Sequence, residues 1–209
     1  MAVASAARMR VEEMDRLTDD EFMDLAPEKP KAELIDGIMI MSSPATIRHE
    51  RLQGFLFTVL NLFAGTRRLG VVIGPNGPVR LASGQIYAPD IFFVSEARLG
   101  IVTDKEVNGA PDFVIEILSA STVGYDRGRK RETYAEAGVR ELWLIDPYGP
   151  VGTQFFQRRA DSLVEVQPAE GIIRSVAVPG FWVDVAWLWP REGQPRVSEA
   201  EALQALGGL

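Results

Sequence analysis

Four charged side chains stand in stretches of this sequence where charge is costly to hold. Glu116 interrupts the apolar run FVIEILS (113–119), and Asp90 follows Pro89 inside IYAPDIFFVS (86–95). Glu33 lies in the alternating run KAELIDG (31–37), and Lys130 falls within DRGRKRETYAEA (126–137). An ionised carboxylate buried in VIEIL loses its hydration unless it is protonated, paired with a base or bound to a metal. Carboxylates brought together repel one another, and a divalent cation relieves that repulsion. Asp90 and Glu116 are separated by a single connection, so they are candidates for neighbouring strands. On spacing alone Glu116 reads equally well as a structural ion pair with Lys130 or Arg131, and Asp90 as a strand-entry residue behind Pro89.

The elements that must position these groups follow from periodicity and punctuation. Thr18-Asp19-Asp20-Glu21 is a capping box opening a short helix to about Leu25, which Pro27 ends. KAELIDGIMIMS reads as a hairpin turning at Asp36-Gly37. Leu52, Phe55, Leu56, Val59, Leu60 and Phe63 recur at helical spacing, predicting a long helix over about 45–64. Short strands are expected at 71–74, 78–82 and 86–95, then a polar connection over 96–110. The runs at 113–119 and 141–146 have the continuous apolar character of strands covered on both faces. Between them a helix over about 127–137 is predicted, with Asp126 as its N-cap and Gly138 as its stop. Four segments over 153–185 alternate as an antiparallel meander, and Ser198 with Glu201 caps a terminal helix. The expected fold is one α/β (α+β) domain over 1–209 with a mixed sheet, its residues 1–17 loosely packed.

Composition narrows the chemistry. The chain has 209 residues, no Cys and one His, His49, which excludes disulfides, thiolate metal sites and thiol nucleophiles. A metal here is held by oxygen, pointing to hard cations such as Mg²⁺. No run is long and apolar enough to span a membrane, and MAVASAARMR lacks a secretory core, so the expected location is cytoplasmic. The net charge of −7 is uneven: residues 41–140 carry 12 basic and 10 acidic groups, whereas both flanks are acidic. Binding follows the local field, so the acidic total demotes a nucleic-acid partner without removing it.

The segments ELIDG (33–37), PDIFFVS (89–95), GAPDFVIEILSAST (109–122), YDRGRKRETYAEAG (125–138) and ELWLIDP (141–147), with His49 after an SP pair, occur in order over about residues 20–185. Together they resemble the Uma-two-like restriction endonucleases of the PD-(D/E)xK nuclease superfamily. The resemblance implies a restriction-endonuclease-like fold and a Mg²⁺-dependent DNA endonuclease, with Mn²⁺ as a substitute. It assigns Asp90 as the PD aspartate, Glu116 as the acid of the second motif and Glu33 as the acid ahead of the strands, the three being the metal set. Leu118 stands where the superfamily has lysine, and Lys130 is the substitute the resemblance suggests, orienting or deprotonating the attacking water. Arg127, Arg129 and Arg131 would give that helix a positive face for phosphates. A homodimer is expected for cutting two strands. Two competing readings are an inactive nucleic-acid-binding or assembly module on the same fold, and a metal-dependent phosphoesterase acting on RNA or nucleotides. Asp112, in a second PD pair, reads as a strand-entry residue, Tyr134 as a packing residue and His49 as a buried, hydrogen-bonded histidine.

Overall fold

The computed structural model describes residues 16–27, 31–119, 124, 126–190, 193 and 195–208. Up to residue 15, the expected loose N-terminal segment lies outside the described residues. Local signals set the first elements. Thr18 Oγ1 and Glu21 close the capping box of α1 (Asp19–Leu25). Asp36 and Gly37, at φ 50° and 80°, turn β1 (Ala32–Ile35) into β2 (Ile38–Met41), as a two-residue hairpin turn requires. Thr46 then caps the long helix α2 (Ile47–Thr66), whose buried face carries the six apolar residues expected of it.

Among the described residues the strands form two mixed sheets and a separate two-stranded ribbon. The smaller has the order β2-β1-β5-β4-β7, adding β4 (Val79–Ala82), β5 (Gln85–Tyr87) and β7 (Val107–Asn108). The central sheet has the order β11-β10-β9-β8-β6-β3. It contains β3 (Gly70–Ile73), β6 (Ile91–Ser95), β8 (Phe113–Ile117), β9 (Glu141–Ile145), β10 (Gln154–Arg159) and β11 (Ser162–Val166). Its one parallel pair is β8 with β9, which face each other from Phe113–Glu141 to Ile117–Ile145. The crossover between them carries α3 (Arg131–Ala137), closed by Gly138 at φ 96°. Gly70 opens β3 because a Cβ there would stand 2.1 Å from the Val94 carbonyl oxygen.

Alternation along β8 decides what each face does. Phe113, Ile115 and Ile117 join Trp143, Ile145 and the buried stripe of α2 in one core. Val114 and Leu118 join Tyr134 of α3 and Tyr87 of the smaller sheet in a second core on the opposite face. Glu116 points to this second face, between the sheets.

Three expected elements take a different form. The run 86–95 is broken by Pro89-Asp90 into β5 and β6, because proline cannot donate to the ladder. The expected meander is shared out: β10 and β11 widen the central sheet, while β12 (Ile172–Arg174) and β13 (Trp182–Asp184) pair only with each other. Asp126 does not cap a helix. It lies inside a widened helical turn, Asp126–Lys130, kinked at Gly128, and its side chain is buried toward Lys130. Beyond β13 come α4 (Val185–Leu188) and α5 (Glu199–Ala205), the latter opened by the Ser198–Glu201 capping box.

Glu141, fully buried at the start of β9, fastens the C-terminal ribbon to the central sheet. Its Oε2 accepts from Ser175 Oγ (2.5 Å), Val176 N (2.9 Å) and Ala177 N (3.0 Å), and its Oε1 from Trp143 Nε1 (2.9 Å). Burial still pushes its carboxyl up, against these donors.

Candidate active site

β6 and β8 run antiparallel with Ile91 opposite Ile115, so Asp90 and Glu116 come at neighbouring strand ends, one step further on. The bend at Asp90 is held on several sides. Its carbonyl accepts from Gln53 Nε2 (3.0 Å), and its Oδ2 accepts from Ile117 N (2.8 Å). His49 Nε2 lies 3.2 Å from the same Oδ2, and Lys31 Nζ lies 3.2 Å from Oδ1. Glu116, 3% exposed, accepts from Tyr134 OH (2.6 Å), and its Oε1 lies 2.8 Å from Lys130 Nζ. The same ammonium lies 2.8 Å from Glu33 Oε1, which also accepts from Ala88 N, and 3.9 Å from Asp126 Oδ1.

The structure therefore brings Glu33, Asp90, Glu116 and Lys130 into one buried cluster. It does not gather Glu33 with Asp90 and Glu116 as three ligands of one metal: Glu33 Oε1 is turned to Lys130 and the Ala88 amide. Leu118 is buried in the second core, so no amine stands at its position. The arginines of the crossover are engaged elsewhere, which corrects the expected phosphate-binding face. Arg129 pairs with Asp36 at 3.0 Å, Arg131 lies over the Phe156 ring, and Arg127 donates to the Gly152 carbonyl. Asp112 accepts from Ser95 N and pairs with Arg98, a structural role at strand entry.

Three members of the cluster were not singled out as functional by sequence reasoning: Lys31, Tyr134 and Gln53. Lys31 and Glu33 are two apart on an extended segment, and Lys130 and Tyr134 are four apart along a helical one, so each pair shares a face. Those spacings are the only sequence signals for them. Gln53, one helical turn beyond His49 on α2, had the same kind of signal.

The electrostatics are those of a crowded acid cluster. Four carboxylates (Glu33, Asp90, Glu116, Asp126) face two ammoniums (Lys31, Lys130) and the imidazole of His49, whose pKa Asp90 raises against the opposing effect of burial, so the acids outnumber the basic groups. Burial opposes the charge on Lys130, but Glu116, Glu33 and Asp126 outweigh it and hold the ammonium well above its usual range. Burial likewise opposes charge on Asp90, yet Lys31, His49 and the Ile117 amide keep it ionised far below the ordinary carboxylate range. Glu33 is lowered in the same way, Lys130 and Lys31 overcoming its desolvation. Glu116 goes the other way. Desolvation, with Asp90 and Asp126 adding to it, pushes its carboxyl up to about 7 despite the two lysines. One ammonium cannot compensate two carboxylates equally, and Glu33 has the additional amide donor.

The donor chemistry fits a hard divalent cation. Among the described residues no three His, Cys, Asp or Glu side chains gather tightly enough to hold a metal alone. Mg²⁺ requires no such triad, since it keeps several waters and takes one or two carboxylates together with substrate phosphates. Asp90 and Glu116 offer two oxygens of this kind, in a cluster where acids outnumber basic groups.

The family model for Uma2, described as putative restriction endonuclease, matches residues 19–186, a span that includes every member of this cluster. The chain belongs to the Uma2 family. This Uma2 protein is 26% identical over 119 residues to an uncharacterized protein of Synechocystis sp., a match covering 56% of this chain and 67% of that one. Its fold resembles the crystal structure of a protein from Anabaena variabilis described as a putative nuclease belonging to DUF820. The TM-score is 0.64 at 18% identity, covering 91% of this chain and 99% of the other. No helix among the described residues of the Uma2 protein is long and apolar enough to cross a membrane.

Proposed function

We propose that this chain is a Mg²⁺-dependent endonuclease that hydrolyses phosphodiester bonds of DNA, with Asp90 and Glu116 holding the metal. The observation that carries the reading is the meeting of these two acids at adjacent strand ends, inside a cluster where acids outnumber basic groups. A bound Mg²⁺ polarises the scissile phosphate and lowers the pKa of a coordinated water.

The chain's own groups then divide the remaining work. His49 and the Ile117 amide fix Asp90 Oδ2, which sets the orientation of the whole carboxylate. Tyr134 and Lys130 do the same for Glu116 Oε1. Lys130 is enclosed by carboxylates and stays charged, so it acts as a positioning residue and not as the base. Glu33 anchors it from the other side. Lys31, whose side chain is 18% exposed against 3% for Lys130, is the amine with access to a phosphate, and it offsets charge developing there. Cutting both strands with one small centre favours two copies, and a homodimer is part of the proposal.

Plasmid nicking tests the reading. Cutting is expected in Mg²⁺ or Mn²⁺, is stopped by chelator, and is lost in Asp90→Asn and Glu116→Gln. Lys31→Met is expected to lower turnover while metal still raises the melting temperature, because binding to the folded state stabilises it. Stabilisation by metal with no nucleic acid cut would replace this reading with a binding module. Cutting confined to RNA would move the substrate class.

A further inference from the structure

At the N-terminal end of α2, the helix that carries His49, lies a cleft of about 490 Å³ that the catalytic proposal does not use. Its walls include Arg48 and Arg51 from the first turns of α2, Tyr148 just past β9, Trp189, and Arg196 ahead of α5. Two of the elements that wall it also serve the centre. His49, between Arg48 and Arg51 in sequence, reaches Asp90, and β9 ends at Ile145 opposite Ile117 of β8.

Three guanidinium groups converge here with little to neutralise them. Among the described residues, none of the three makes an ion pair. Arg48 stands over the Tyr148 ring, 5.0 Å from its centroid. Arg196 donates to the carbonyls of Arg51 (3.4 Å) and Leu188 (3.3 Å) and lies over the Phe55 ring. Burial and the proximity of Arg51 and Arg48 lower the Arg196 pKa, against the opposing effect of Glu199. Glu50, on the same turn of α2, is turned to His49. A cleft lined by charges of one sign focuses the field and concentrates counter-ions of the other. Tyr148, 65% exposed, adds an aromatic face at the rim, and every nucleobase can stack on such a face.

We infer that this cleft binds the sugar-phosphate backbone of a nucleic-acid strand, with Arg48, Arg51 and Arg196 on phosphates and Tyr148 stacked on a base. The choice of a strand as ligand rests on the nuclease reading. The volume supports a short segment, since it falls within the roughly 300–1,000 Å³ of small-ligand pockets. The strand would run from the acid cluster along the N-terminal turns of α2.

The test is fluorescence anisotropy of the full chain with a labelled single-stranded oligonucleotide in chelator, across a salt series. Each phosphate contact contributes about 0.7 to the slope of log affinity against log salt for single strands. Arg48→Gln/Arg51→Gln is therefore expected to flatten the slope by about 1.4. Tyr148→Ala is expected to weaken binding roughly 5- to 150-fold with the slope unchanged. The comparison variant is Arg159→Gln, exposed at the opposite end of the central sheet. An unaltered slope in the double variant, an equal loss in Arg159→Gln, or no binding by the wild-type chain at low salt would overturn the inference. So would displacement by a mononucleotide as effective as by the oligonucleotide, which would make the ligand a free nucleotide. Binding through the cleft by a chain that never cuts would remove the nuclease reading alone. Cutting with an unchanged salt slope would remove the cleft alone.

Discussion

Replacing Lys130 by methionine keeps the unbranched apolar stem of the side chain and removes its charged end. The ammonium is 3% exposed and lies 2.8 Å from both Glu33 Oε1 and Glu116 Oε1. Its loss leaves two buried carboxylates facing each other. Breaking one buried pair in this way costs about 3–5 kcal/mol, chiefly because a charge is stranded without compensation. For a chain of 209 residues, each kcal/mol lowers the melting temperature by about 2–4 °C, so the expected drop is roughly 6–20 °C. The pH dependence has a definite sign. In the wild type Glu33 is lowered by Lys130, so its contribution is present above the unfolded carboxylate range and fades as pH falls. In Lys130→Met both acids would be raised, so that variant would gain relative stability as pH falls. Thermal denaturation at about pH 5 and about pH 8 should therefore show the larger deficit at the higher pH. Adding Glu116→Gln should recover part of the loss, with a coupling of about 0.5–3 kcal/mol. A deficit under about 3 °C, the same at both pH values, would refute the claim that this amine holds the acids together.

Two further outcomes follow from other positions. Asp112→Asn should destabilise by about 1–3 kcal/mol, because the Ser95 amide and Arg98 are left with a neutral acceptor. Asp112 is lowered in the fold, so this deficit should be full above the unfolded carboxylate range and shrink below it in acid denaturation; cutting per folded molecule should not change. Gly70→Ala should cost about 1–3 kcal/mol in urea unfolding, since its Cβ would press on the Val94 carbonyl at a φ of 149°.

What was legible beforehand was local. Two capping boxes, the Asp36-Gly37 turn, the apolar stripe of α2 and the buried runs around Glu116 and Glu141 each carry their cause within a few residues. The acids themselves were visible because charge inside an apolar run demands an explanation. Their partners were not, since Lys31 meets Asp90 across 59 residues and Lys130 meets Glu33 across 97. The same limit misled the reading of the basic crossover. Its arginines look like a phosphate face in sequence, but Asp36, Phe156 and Gly152 reach them only once the sheets are stacked. The guanidinium groups that line the cleft instead bring together Arg51 and Arg196, 145 positions apart. Asp126 was read as a cap because nothing nearby in sequence shows that Gly128 would kink the turn and direct that side chain inward.

Glu141 has a consequence for how the molecule comes apart. The segment 175–177 supplies hydrogen donors to a carboxylate rooted in the middle of the β-sheet. Peeling the ribbon away would expose apolar side chains and also strand an anion in a dry environment. The tail and the sheet should thus melt as a single cooperative unit, and amide hydrogens in β12 should exchange on nearly the same timescale as those in β9.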